Sequence, residues 1–121
     1  MSCDIHAVFQ KKTPDGWEDV KSVYEENRHY ALFAWLGNVR NGYDFLPLSD
    51  HRGFPEDFDV TDREDHGDTW MGDHSHSWLA DDEIINGSIP PDEDHFAYFI
   101  DEVKRLKELH GEVRMVFGFD S

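Results

Sequence analysis

A chain of 121 residues is the size of one compact domain, read here as 1–121, and its 38% hydrophobic and 14% aromatic content suffices for a core, which excludes global disorder. Its formal net charge is -16, with 27 acidic side chains against 11 basic ones, so it repels phosphate backbones; direct binding to nucleic acid or to an anionic membrane is not expected. The single cysteine, Cys3, excludes an internal disulfide framework and any zinc module needing two thiolates from one chain.

No apolar run approaches the roughly 20 residues that span a bilayer. The start MSCDIHAVFQKK lacks the charged and apolar regions of an export signal, so a soluble cytoplasmic protein is expected.

Cys3 to Gln10 alternates, with Ile5, Ala7 and Phe9 on one face, which is the period of a half-buried strand. Thr13-Pro14-Asp15-Gly16 carries turn residues, and a second short alternating run follows from Trp17 to Tyr24, so a β-hairpin opens the chain. Between Asn27 and Val39 the residues Leu32, Phe33, Leu36 and Val39 recur at helical spacing, and Asn41-Gly42 stops the run. From Asp44 to His95 the periodicity is lost: sixteen acidic residues stand against only Arg52 and Arg63. So long an excursion in a compact domain points to short helices or a functional surface, with Trp78 to Ile85 as the best helix candidate. Pro90-Pro91 leads into Asp92-Glu93-Asp94, acids suited to a helix N-terminus, and Phe96, Phe99, Ile100, Val103 and Leu106 form an apolar stripe ending before Gly111. Glu112 to Asp120 alternates again. The expected fold class is α+β: an antiparallel sheet from the N-terminal hairpin and the C-terminal strand, covered by two main helices, with a long acidic excursion.

Three groups of residues carry candidate chemistry. Residues two apart on a strand share a face, so Asp4 with His6, and His74 with His76 in an extended Asp73-His74-Ser75-His76-Ser77, could offer donors to a divalent metal such as zinc, iron or manganese. Without metal, the same imidazoles could serve acid–base chemistry, or join the hydroxyls of Ser75 and Ser77 and the guanidinium groups of Arg28, Arg40 and Arg52 around a small anionic, nucleotide-like ligand. The bland counterpart is that these cations pair with nearby carboxylates. No GxxxxGK[ST] loop is present, which leaves P-loop hydrolysis unsupported. Trp70 and Trp78, beside the HxH pair, are candidates to line a pocket. The third group is acidic: Glu56, Asp57, Asp59, Asp62, Glu64, Asp65 and Asp68, then Asp81, Asp82 and Glu83, then Asp92, Glu93 and Asp94. Spread over one face, such carboxylates imitate a nucleic-acid backbone and fit the groove of a basic protein. Their order is not that of a calcium-binding EF-hand loop.

The opening CDIH, the run NRHYALFAWLGNVRNG, the segment HRGFP, DHSHSWL and the closing VRMVFGFD together resemble a family of small uncharacterised proteins often encoded by bacteriophages. That resemblance brings no activity or catalytic residues with it. It implies an accessory factor in the cytoplasm of an infected bacterial host, with counter-defence or host takeover as its tasks. The polar motif residues Asp4, His6, Asn27, Arg28, Tyr30, Arg52, His74, Ser75 and His76 are of the kind a ligand site would use. Two functions therefore stand side by side: a polar pocket for a metal or small anion involving Asp4, His6, His74, His76, Arg28, Tyr30, Arg52, Ser75 and Trp78, and a nucleic-acid mimic that docks on a basic host protein.

Overall fold

The computed structural model describes residues 2–61, 63, 67, 69–89 and 95–121. The elements in chain order are β1 (Asp4–Thr13), β2 (Gly16–Val20), α1 (Tyr30–Gly37), β3 (His74–Ala80), α2 (Asp81–Ile85), α3 (His95–His110) and β4 (Val113–Asp120). The strands form one antiparallel sheet in the order β2-β1-β4-β3. The α+β class, the opening hairpin and the closing strand stand as expected.

Strand β4 lies centrally, and its pairing with β1 runs from Asp4 opposite Asp120 to Lys11 opposite Val113. Because side chains alternate along a strand, Ile5 and Phe9 share one face with Met115, Phe117 and Phe119. There they join Phe33 and Leu36 of α1 and Phe96, Phe99 and Leu106 of α3 in the main core. Burying one such side chain fully contributes about 1.5–3 kcal/mol. The α1 helix is short, yet Ala31 through Gly37 are all buried. A helix apolar all round must be enclosed, and this one lies inside the layers instead of coating them. It ends at Asn38 in the left-handed region (φ 59°), whose N–H returns to the Ala34 carbonyl.

Two expectations change. Trp78 to Ile85 is not one helix: Trp78, Leu79 and Ala80 complete β3, a fourth strand, and only Asp81–Ile85 is helical. The acidic excursion is partly a second layer over the opposite face of the sheet, where Phe58, Met71 and Val116 form a smaller core with Val8, Phe54 and Trp78 packed against it. This layer makes β4 buried on both faces. Residues 71 and 72 cross β4 so closely that a Cβ on Gly118 would stand 2.0 Å from the Met71 carbonyl oxygen. Asp62, Glu64, Asp65 and Asp68 of the expected carboxylate array, and the Asp92-Glu93-Asp94 helix start, lie outside the described residues.

Candidate functional site

The expected metal ligands are separated by a bulge. His74 pairs with Phe119 and Ser77 with Phe117, so three steps on β3 match two on β4, and Ser75 takes a left-handed φ of 56°. The extra residue puts His74 and His76 on different sides of the sheet, correcting the same-face expectation for HxH. The His74 ring lies 6.4 Å from that of Phe119 and shares hydrogen bonds with the hydroxyls of Ser75 and Ser121, both 2.9 Å. The His76 ring lies 4.3 Å from that of Phe54, and its Nε2 donates to the Gly72 carbonyl at 2.9 Å. On β1, His6 Nε2 donates to Asp120 at 2.5 Å, with the Trp70 ring 4.8 Å away. Asp4 accepts from Arg28 Nε at 2.7 Å. Among the described residues, no three His, Cys, Asp or Glu side chains come together to hold a metal ion. The grouping expected of Asp4, His6, His74 and His76 is therefore not formed.

The expected anion ligands are likewise engaged. Arg28 faces Asp4, and this ion pair holds the Asp4 carboxyl below its ordinary range. Arg52 makes a two-pronged pair with Glu83, donates to the Trp78 carbonyl at 3.0 Å and lies 4.8 Å over the Trp78 ring. The structure thus unites Arg52 and Trp78, but as packing and ion pairing at the β3 edge. Glu83, itself pulled down by Arg52, also accepts the Ala80 N–H at the start of α2. Tyr30 begins α1, its hydroxyl accepts the Cys3 N–H at 3.2 Å, and the Arg40 guanidinium sits 5.4 Å over its ring. Cys3 is buried, and that burial raises its thiol pKa, which suits an inert thiol better than a nucleophile.

A groove lies elsewhere. Residues 21–29, which join β2 to α1, run beside α3 as a strap and leave a groove of about 530 Å³ between them. Glu102 of α3 ties the strap down: it accepts from the Ser22 hydroxyl at 2.6 Å and the Val23 N–H at 2.9 Å, with Arg105 on its other side at 2.7 Å. Those donors, Arg105 first, lower its pKa to about 2. Tyr24, Leu32 and Phe99 supply apolar lining, while Val23 and Tyr98 stand at the surface, 69% and 84% exposed.

Of this groove's lining, Arg28 and Asn27 are among the polar residues the sequence singles out. Its clearest signal in the sequence is Tyr98, an aromatic off the Phe96, Phe99, Ile100, Val103 and Leu106 stripe and hence destined for the surface. Glu102 is no more conspicuous than any other helix carboxylate until the strap is seen against it. Compared with models of protein families, with curated proteins and with solved structures, the chain finds no match in any of the three.

Proposed function

We propose that this protein is an acidic docking factor that binds a basic protein partner by charge complementarity. One observation carries the reading. Of the eleven lysines and arginines, Arg28, Arg52, Arg63, Arg105, Lys107 and Arg114 each lie in an ion pair with a carboxylate of the same chain. A small anion would have to break such a pair to recruit Arg28 or Arg52. A basic surface meets a large excess of carboxylates, including exposed Glu25, Asp44, Glu56, Asp59 and Asp73. Such a surface steers a cationic partner and rejects nucleic acid. No helix of the described residues is long and apolar enough to cross a membrane, which is compatible with a partner met away from one. With the resemblance to phage-encoded proteins, the reading becomes an accessory factor that occupies the basic groove of a bacterial host or defence protein.

The test is capture of host proteins on the immobilised full chain at low salt, followed by calorimetry with the purified captured protein. A basic partner whose affinity falls at least about tenfold between about 0.05 and 0.3 M salt is expected. Salt-independent binding would overturn the reading. So would stoichiometric zinc, iron or manganese in the purified protein that is lost on H74A/H76A substitution, because that outcome returns the function to a metal pocket.

A further inference from the structure

We infer that the groove between the 21–29 strap and α3 is the anchor of that interface, taking one aromatic side chain from an extended, lysine- or arginine-bearing segment of the partner. The inference rests on the acidic docking reading and assigns it a place. Long-range charge attraction steers an encounter but gives little residence; lasting contact needs a desolvated apolar anchor, and aromatic residues fill that role most often. The groove offers such a seat. Leu32 and Phe99 belong to the main core, so the apolar lining is held by the fold. Val23 and Tyr98 expose apolar surface along the same groove. Closing over an inserted ring would bury both.

Polarity selects the flanks of the occupant. Of the charged side chains that line the groove, Arg28 is paired with Asp4 and Glu102 with Arg105. Glu25 is exposed and makes no ion pair among the described residues, and Asp101, one position before Glu102, is also exposed. A cation beside the inserted ring would meet the Glu25 carboxylate, whereas an acidic flank would be repelled. Tyr24 lines the same groove with its hydroxyl buried and without a hydrogen-bond partner. The open, surface-lying shape suits a peptide segment better than an enclosed small molecule.

The experiment uses the full chain, isotopically labelled for NMR, and two synthetic peptides: one with a tryptophan flanked on each side by two lysines, the other with alanine in place of the tryptophan. The tryptophan peptide is expected to bind at least about tenfold tighter. Its shift changes are expected to centre on Val23, Tyr24, Tyr98 and Phe99. The variants Y98S and V23S, both at exposed positions, should erase most of that advantage and leave the alanine peptide's affinity unchanged. Equal binding of the two peptides, or shift changes centred away from the groove, would overturn the anchor while leaving the acidic docking reading intact. If neither peptide binds at low salt, both fall. Should Y98S or V23S alter the spectrum of the free protein, the peptide comparison on the unsubstituted chain still decides.

Discussion

At single positions, two atoms show what the packing tolerates. The Tyr24 hydroxyl is buried without a hydrogen-bond partner among the described residues, and the Tyr24 ring lies 6.3 Å from that of Phe9 and 5.2 Å from that of Phe99. Burial there raises its pKa, since the charged phenolate would be poorly solvated. A buried hydroxyl that forms no bond carries a desolvation cost of about 1–3 kcal/mol, so Y24F should stabilise the free protein by about 1 kcal/mol in urea denaturation. A loss of stability would show that the hydroxyl is satisfied after all. Gly118 has the opposite character. A Cβ there would collide with the Met71 carbonyl oxygen at 2.0 Å and with the His76 ring at 2.5 Å. Backbone is a poor candidate to give way, so G118A should lower stability by about 2–3 kcal/mol, the upper range for overpacking. A smaller loss would mean that the 71–72 crossing lifts off β4 easily.

Among the elements, the polar part of the attachment of the strap to α3 gathers at one side chain. Glu102 gathers the Ser22 hydroxyl, the Val23 N–H and the Arg105 guanidinium. Its carboxyl titrates near 2 in the folded chain against an ordinary value of 4.5. A carboxyl whose folded value is depressed favours the fold while ionised, so this contribution is fully present above about pH 4.5 and is lost as the pH falls toward about 2. E102Q should therefore cost about 1–2 kcal/mol at neutral pH and cost progressively less as the acid is titrated in the parent. Urea melts of both proteins across that window measure it; a difference that is constant with pH would show that the carboxylate's charge is irrelevant to the strap. The strands β1 and β4 and the helix α3 were legible because each carries an apolar periodicity that matches its face on the main core, although in β4 the opposite face is buried as well. Strand β3 was not. The left-handed Ser75 breaks its alternation, and Trp78 to Ile85 mixes the end of a strand with the start of a helix, so a local window sees a single apolar run. The same-face expectation for His74 and His76 failed for the same reason, since face-sharing at a spacing of two presumes a strand without a bulge. The groove was hidden more deeply, because it depends on where an irregular strap lies against a helix far along the chain.

For the whole molecule, the question is which way its electrostatics pull. Ion pairs such as Arg52 with Glu83 and Arg114 with Asp57, each partly buried, hold the second layer and the β3 edge to the sheet, and salt weakens them to some degree. Against them stands a formal net charge of -16 on a chain of 121 residues. Repulsion among surplus carboxylates acts over the entire surface, and unfolding relieves it by moving the charges apart. Salt screens both effects. The pairs sit at short range and in partly buried positions, Arg114 being only 4% exposed, where screening is weak; the repulsion is summed over longer distances, where a Debye length of about 10 Å at 0.1 M salt removes most of it. Repulsion should lose more than attraction does, and the melting temperature should rise by several degrees as sodium chloride goes from about 0.02 to 0.3 M. Calorimetric scans at fixed neutral pH measure this directly. A fall in melting temperature over that range would mean that the paired cations, not the unpaired acids, dominate the field of the molecule, and the acidic docking reading would lose the physical excess on which it depends.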